Sequence, residues 1–425
     1  MSGMQTESTD HGPGTFPPLR LSRTFELAAT AEKTDVTAAV ADRILTRDRQ
    51  IPGEYPVYGR RASGAYVEDV DGNRYLDFLL AYGTVILGHA HPAVTEAAVQ
   101  QIREGSAVSM PHALQPELTR RLVECIPHAE LALLLKTGSD ATGAAVRLSR
   151  SFTGRDVVLR WGYNGWHDWC ANRREGIPES VGATVDTFEF NDLDSAERAF
   201  RRHPGQVACV IVMPFEVDPP DPDFLPGLRR LSDRHGALLV LDELRTGFRL
   251  GLGGAQEHFG VRADLVTLGK AMGNGYAISA VTGRADVMRC LGDVHISSTY
   301  YANALPMAAS LATIEELAGT DALRRVAAMG ARLMDGLGRA VAEAGLEAEA
   351  AGVPQMPFLR FTSPDPARRE LAKKVFFTST IRQGVLFHPN HHWFVSAAMT
   401  EADIDLAIAC GRRAAAATAA QLREA

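Results

Sequence analysis

An acid and an amine stand at the ends of two apolar runs. Ala237-Leu238-Leu239-Val240-Leu241 ends in Asp242-Glu243, and Leu265-Val266-Thr267-Leu268-Gly269 ends in Lys270, with Gly273 and Gly275 close behind. The chain holds 44 lysines and arginines, of which only Lys33, Lys136, Lys270, Lys373 and Lys374 are lysines. A lysine at 270 in so arginine-rich a chain points to a need for an amine. A guanidinium stays protonated and cannot act as a nucleophile. An amine and a carboxylate delivered from the carboxyl ends of two strands suit pyridoxal phosphate. The lysine would form a Schiff base with the cofactor aldehyde, and the acid would partner the pyridinium nitrogen. Taken alone, Lys270 reads equally well as a surface lysine in a strand-to-helix turn.

The elements that must position this pair form a strand–helix alternation. The spacing predicts strands at Leu131–Leu135, Val157–Trp161, Val207–Met213, Ala237–Leu241, Leu265–Leu268 and Ile278–Thr282. Helices are expected between them, such as Ala141–Ser151, Asp194–Arg202 and Gly227–His235. Near-continuous apolar strands separated by helices predict an α/β fold, with a mostly parallel sheet covered on both faces. Ligands of such sheets bind beyond the carboxyl ends of the strands, where Asp242 and Lys270 fall.

Before this region, Gly64–Phe78 reads as a hairpin around Asp71-Gly72. A helical pattern covers about Phe25–Arg47 and is broken by Ile51-Pro52-Gly53-Glu54. After it, a long helix (Asp321–Ala344), short strands near Phe358–Phe361 and Phe394–Ala398, and a last helix from Glu401 suggest a smaller α+β domain. The Ala-rich stretch Arg412–Ala420 reads as that helix's frayed end. The expected organisation is a disordered tail (1–22), an N-terminal segment packing with the small domain (23–85), a large cofactor-binding domain (86–319) and a small C-terminal domain (320–425).

Two further segments bear on the cofactor. Thr137-Gly138-Ser139-Asp140-Ala141 follows a strand and opens a helix. Backbone N–H groups and the helix dipole there could hold a phosphate. The same residues also serve as ordinary helix caps. Tyr163, after the strand Val157–Trp161, could stack on a planar ring or simply pack in a core.

With these segments in place, the chain resembles the class III aminotransferases of the fold type I pyridoxal phosphate superfamily. It is most similar to the branch containing glutamate-1-semialdehyde aminomutase. The resemblance rests on Asp69–Phe78, Leu87-Gly88-His89-Ala90-His91-Pro92, Thr137–Ala141 with Thr153-Gly154-Arg155, Tyr163–Asp168, Asp242–Arg249, Gly253-Gly254-Ala255-Gln256 and Thr267–Lys270, in family order. It implies a seven-stranded central sheet with a smaller domain. It also implies roles: Lys270 bonded to the cofactor aldehyde, Asp242 on the pyridinium nitrogen, Gly138 and Ser139 on the phosphate, Tyr163 on one ring face and Leu244 on the other. Thr299 matches a threonine that reaches the neighbouring subunit's phosphate, which implies a homodimer with shared sites. The expected activity moves an amino group between an amine donor and a carbonyl acceptor in a specialised biosynthetic pathway. An aminomutase or epimerase working on one substrate is the alternative, and a non-catalytic binding protein with a degenerate pocket is a third.

Three departures from the family pattern fall outside the cofactor set. The segment between Pro52-Gly53 and Gly64-Ala65 is short, so the aminomutase's arginine-bearing loop has no counterpart except Arg60 or Arg61. Met213 precedes Pro214 where relatives usually carry glutamate; Glu216 lies three residues on. Met399 stands where many relatives have histidine. Cofactor chemistry retained with a diverged substrate is the reading.

Other signals carry less. His388, His391 and His392 lack a supporting Cys or carboxylate at ligand spacing, so no metal is expected, and a loop bordering the active-site mouth is the favoured reading. Arg249 could hold a substrate carboxylate or a structural partner; the structural role is favoured. The Gly251–Gly254 cluster matches no dinucleotide or Walker pattern. A net charge of −7 argues against a general nucleic-acid binder. Five scattered cysteines suit reduced thiols in a cytoplasm. No apolar run is long enough for a membrane span, and the polar N-terminus does not read as a secretory signal.

Overall fold

The computed structural model describes residues 19–20, 22–34 and 58–424. Most of the expected tail, the end of the first helical pattern and the Ile51–Glu54 breaker lie outside the described residues. The described strands are β1 (Gly59–Ser63), β2 (Tyr66–Asp69), β3 (Arg74–Asp77), β4 (Leu131–Leu135), β5 (Val157–Trp161), β6 (Val185–Thr187), β7 (Val207–Val212), β8 (Leu238–Asp242), β9 (Leu265–Leu268), β10 (Ser279–Gly283), β11 (Ala348–Val353), β12 (Met356–Phe361) and β13 (Val385–Leu386).

Residues Leu80–Ala327 form one compact unit. Its seven-stranded sheet runs in the order β4-β10-β9-β8-β7-β5-β6. The strands from β9 to β6 are parallel, whereas β10 runs antiparallel to both β9 and β4. β7, β8 and β9 are buried at every position, as expected for strands covered on both faces. The helix Gly138–Thr153 packs across β7, β8, β9 and β10, and the helix Phe224–His235 packs against β7 and β8. Leu135, Ala145, Leu148, Val158, Ile211, Val240 and Val281 belong to the resulting core. At about 25 cal/mol per Å² of apolar surface, this core outweighs any single polar contact in the unit. The register of β8 on β9 sets Asp242 opposite Thr267, so both strands deliver their chemistry at the same level.

The second unit comprises the described part of residues 1–79 and Ala328 onwards. Its sheet runs β1-β2-β3-β13. The β2–β3 hairpin pairs Tyr66 with Leu76 and Glu68 with Arg74, and Gly72 supplies the left-handed φ of 84° that the turn needs. β11 and β12 form a separate hairpin, and the helices Pro366–Arg382 and Glu401–Glu424 pack together.

Two expectations fail here. Phe394–Ala398 is not a strand. Its apolar character reflects burial in an irregular segment: the Trp393 amide bonds Pro357, the Phe394 amide bonds Phe78, and the Trp393 indole stacks 4.0 Å from Phe387. The strand that joins β3 is instead the two-residue β13. The C-terminal stretch is not frayed either. Ala414, Ala415, Thr418, Ala419 and Leu422 are buried along a helix that continues to Glu424.

Candidate active site

The site is built on the carboxyl ends of β7, β8 and β9 and on the turn that opens the helix Gly138–Thr153. Asp242, the last residue of β8, is almost fully buried. Its Oδ2 accepts from Asn164 Nδ2 at 2.8 Å; its Oδ1 accepts from Thr267 Oγ1 at 3.2 Å and the Leu244 amide at 3.3 Å. Burial pushes the Asp242 carboxyl above the usual range, while the bond from Asn164 pulls it back. Such a carboxylate is held in place but lacks a full counter-charge.

Lys270 begins a 3₁₀ turn, Lys270–Gly273, directly after β9 and Gly269. Its backbone is left-handed, with φ 45°. A non-glycine residue in that region costs about 1–2 kcal/mol. Asn274, also left-handed, fixes the turn by accepting from the Leu87 amide at 2.9 Å and donating to the Gly88 carbonyl at 3.2 Å. Burial lowers the Lys270 amine from its ordinary value to about 7. Arg245 lowers it further, Asp242 opposes, and Arg249 adds a smaller push downward. An amine near neutrality is half nucleophile and half acid at ordinary pH.

Leu244 lies between two glycines. A Cβ on Gly138 would come within 2.6 Å of Leu244 Cδ1, and one on Gly269 within 2.8 Å of Cδ2. A Cβ on Gly165 would come within 2.5 Å of Ser139 Oγ. The turn at the helix start is a capping box: the Asp140 amide bonds Thr137 Oγ1, and Asp140 Oδ2 accepts from the Thr137 amide. Ser139 Oγ accepts from the Trp166 amide at 3.3 Å.

Asp242, Lys270, Leu244, Gly138 and Ser139 therefore share one neighbourhood. Tyr163 joins it through its backbone, whose amide donates to Met213 Sδ at 3.1 Å; the ring is 58% exposed. Thr299 lies on an exposed turn, and no hydrogen bond among the described residues ties it to Ser139 or Lys270. Asn164 and Arg245 do not stand out from the sequence alone. Asn164 is fully buried, and its Oδ1 has no hydrogen-bond partner among the described residues. Its place directly after Tyr163, in a stretch rich in glycine and aromatics, was the available signal.

Other singled-out residues serve locally. Arg249, wholly buried, donates to the Gly83 carbonyl at 2.8 Å, and burial lowers its guanidinium to about 9. Glu243 accepts from the Ala255 and Gln256 amides and from Thr246 Oγ1, and so ties β8 to the glycine-rich turn; burial raises it to about 7. Arg61 pairs with Glu68 on the neighbouring strand at 2.6 Å, at the surface, where such pairs contribute about 0–1 kcal/mol. His388 Nδ1 accepts from the Asn390 amide, and His391 and His392 lie against the Phe394 ring. Among the described residues no His, Cys, Asp and Glu cluster could hold a metal ion.

The class-III aminotransferase family model matches residues 51–167 and 179–404. The chain belongs to that family. The 3-aminobutyryl-CoA aminotransferase of Cloacimonas acidaminovorans is 38% identical over 394 residues, which covers 91% of this chain and 95% of that protein. A glutamate-1-semialdehyde 2,1-aminomutase of Syntrophobacter fumaroxidans is 35% identical, covering 85% and 90%. The solved structure of the FumI protein of Sphingopyxis sp. MTA144, in its PLP internal aldimine form, superposes with a TM-score of 0.89 at 32% identity, covering 95% of this chain and 97% of that one. This class-III aminotransferase thus has the fold type and the mostly parallel seven-stranded sheet that its motifs implied. Among the described residues no helix is long and apolar enough to cross a membrane.

The residues present fit pyridoxal phosphate. A buried carboxylate lacks a full counter-charge, which a protonated ring nitrogen would supply. A lowered amine stands on the adjoining strand. The glycines around Leu244 and Ser139 leave backbone and side chains at separations that no Cβ would permit.

Proposed function

We propose that Lys270 and Asp242 anchor pyridoxal phosphate and that the enzyme passes an amino group from an amine donor to a separate carbonyl acceptor. The observation that carries this reading is the pairing of a lowered Lys270 amine with a buried Asp242 at the ends of adjacent strands. When bound, the cofactor supplies an electron sink for the pair left when a proton departs the substrate carbon. Asp242, pinned by Asn164 and Thr267, holds a proton on the ring nitrogen. The Lys270 Nζ, near neutrality, would take and return the migrating proton. Leu244 and Tyr163 would bound the ring, and the Gly138-Ser139 amides would hold the phosphate at the helix dipole.

The test is direct. Purified protein with pyridoxal phosphate should be yellow, and borohydride should bleach it and fix the cofactor to the Lys270 peptide. A protein that stays colourless with the cofactor would sink the reading.

A single amine should convert the enzyme once and then stop, until a second carbonyl compound restores turnover with ping-pong kinetics. The aminomutase reading, favoured by the 35% identical relative, predicts sustained isomerisation of one compound with no acceptor. The 38% identical relative is named for a 3-amino acyl thioester. That supports a donor whose amine sits on the carbon beta to an acyl group.

The working unit is a homodimer with shared sites. Met110 and Tyr300 are 69% and 61% exposed. Their segments are joined by an Ala107–Asn303 bridge, by the Ala304 amide on the Ser106 carbonyl at 2.8 Å and by Gln115 on the Tyr301 hydroxyl at 2.7 Å. Thr299 is exposed beside Tyr300, and in this reading it reaches the partner's phosphate. Mixing Lys270→Ala with Thr299→Ala subunits should restore activity above either parent, since one hybrid site carries neither lesion. Free thiols throughout favour the cytoplasm.

A further inference from the structure

A cavity of about 640 Å³ opens where the helix Pro366–Arg382 begins and the helix Glu401–Glu424 ends. Small-molecule sites usually measure about 300–1,000 Å³. The inner wall is apolar: Phe361, Ala372, Ala419 and Leu422 line it, and each is more than nine-tenths buried. The rim is basic. Arg368, Arg369 and Arg423 line it, against the single carboxylate of Glu347. In a chain of net charge −7, this local excess of positive charge stands apart.

The arginines are held but not neutralised. Arg369 is half-buried, and its Nη1 donates to the Ser363 carbonyl at 2.7 Å. Arg368 Nη1 donates to the Leu422 carbonyl at 3.2 Å, and its Nε stands 3.7 Å from Glu347 Oε2, beyond hydrogen-bond reach. Arg423 is exposed and makes no hydrogen bond or ion pair among the described residues. The neighbouring acids are engaged elsewhere: Asp365 Oδ1 accepts from the Ala367 amide at 2.9 Å, and Glu370 pairs with Lys373 at 3.3 Å. Arg368 and Arg369 also stand in the first turn of their helix, which holds no acidic side chain. At that positive end of the dipole a cation is disfavoured and an anion favoured. Ser363 adds an independent sign. It lines the cavity and is only 5% exposed. Its hydroxyl makes no hydrogen bond among the described residues, yet it is not one of the fully sealed polar atoms, so it opens on the cavity. Such a hydroxyl is costly until an acceptor meets it.

We propose that this cavity binds a small organic anion. Arg369, Arg423 and Ser363 hold its carboxylate or phosphate head, and its short apolar body lies on Phe361, Ala372, Ala419 and Leu422. A guanidinium offers planar, paired N–H donors that match either head, and it keeps its charge at every working pH. The hydroxyl supplies a further donor. Only a ligand with an organic body gains from covering the apolar wall, so a bare inorganic ion is the poorer occupant. The lining runs from residue 344 to residue 423 and includes neither Lys270 nor Asp242. This is a second ligand site, and it does not depend on the proposed function.

The test titrates purified full-length protein, loaded with pyridoxal phosphate, with hexanoate, hexyl phosphate, inorganic phosphate and hexanol. Binding is read by calorimetry and by thermal melting. Hexanoate, hexyl phosphate or both should saturate one site and raise the melting midpoint with concentration. The tighter of the two identifies the head. Inorganic phosphate and hexanol should each bind at least about tenfold more weakly, because each lacks one half of the ligand. Arg423→Gln should weaken the anion by about tenfold, the usual scale for one charge-assisted hydrogen bond, and Arg369→Gln by at least as much. Arg412→Gln should leave binding unchanged, since Arg412 pairs with Glu343 and does not line the cavity. Arg423 is exposed and unbonded, so its variant tests the site even if Arg369→Gln does not fold. Failure of both organic anions to bind overturns the proposal. Binding that is unchanged in Arg423→Gln and in folded Arg369→Gln also overturns it, by placing the anion elsewhere, the Lys270 site included. Equal binding of inorganic phosphate would leave the apolar wall without a role, and equal binding of hexanol the arginines; either result overturns it as well.

Discussion

β8 and β9 bury a carboxylate at each end, and the two ends treat it in opposite ways. At the amino end, Asp264 precedes β9 and is closed on every side. Its Oδ2 accepts from Arg229 at 2.6 Å and from the Leu239 amide at 2.7 Å, and its Oδ1 accepts from Arg284 at 2.7 Å. At the carboxyl end, Asp242 receives a side-chain amide, a hydroxyl and a backbone N–H, all of them neutral donors. One end is electrostatically complete and serves to hold helix, strand and loop together. The other is left incomplete, with a lowered lysine beside a raised acid, and incompleteness is what a cofactor or substrate can relieve. The same strands thus carry stability at one end and, in the proposed reading, chemistry at the other.

The sharpest way to break this contrast is to delete the amine. Lys270→Ala should lower turnover by at least about a thousandfold, because nucleophile and proton carrier vanish together. Thermal melting of the cofactor-free variant should be unchanged or higher, since no charge is buried in its place. Next, Asp242→Asn should cut kcat by about a hundredfold to a thousandfold, the usual scale for one preorganised electrostatic partner. Near-normal kcat there would mean that the ring nitrogen is held by another group.

At the opposite end the currency changes. Asp264→Ala should destabilise by about 3–5 kcal/mol, since two arginines lose their shared carboxylate in a buried setting. The surviving folded enzyme should keep its kcat and KM. A selective loss of kcat at full folding would erase the distinction between the ends.

The smallest effect is a pH signature of the cofactor-free protein. Glu243, raised to about 7, binds a proton in the folded state that the unfolded chain has released, so stability falls as pH rises from the ordinary glutamate range towards 7. Lys270, lowered to about 7, releases a proton that the unfolded chain keeps, so stability rises from pH 7 towards the ordinary lysine range. Melting across pH should therefore show opposite slopes that meet near neutrality. Glu243→Gln should make the acid limb shallower, the rest belonging to the raised Asp242, and Lys270→Met should make the alkaline limb shallower, the rest belonging to the lowered Arg249. Both limbs unchanged in both variants would assign the slopes elsewhere.

Much of this arrangement was legible in the sequence, for identifiable reasons. β4, β5 and β9 match their expected bounds because each is an apolar run closed by turn residues. Asp242 and Lys270 stand out because they end such runs. β6 escaped notice because Val185-Asp186-Thr187 is a three-residue edge strand with one apolar side chain. Phe394–Ala398 misled because burial without pairing produces the same apolar run as a strand. Asn164 could not be found from spacing, since its partner Asp242 lies 78 residues away and only the fold brings them together. Arg245 was hidden by its place in a motif whose other members drew the reading.

One feature near the site bears on how this chain tolerates change. Leu80, Ala81 and Tyr82 form a left-handed turn with φ of 48°, 50° and 58°, closed by Gly83, whose carbonyl Arg249 holds. The turn packs against Lys270–Gly273. Side chains cost about 1–2 kcal/mol each in this conformation. In a saturation library selected for folding alone, glycine should therefore be enriched at the exposed positions 81 and 82 but not at Leu80, whose buried side chain outweighs the strain. Selected for turnover, the original side chains should return wherever they meet substrate. The gap between the two rankings, position by position, would measure how much strain the enzyme carries for its substrate.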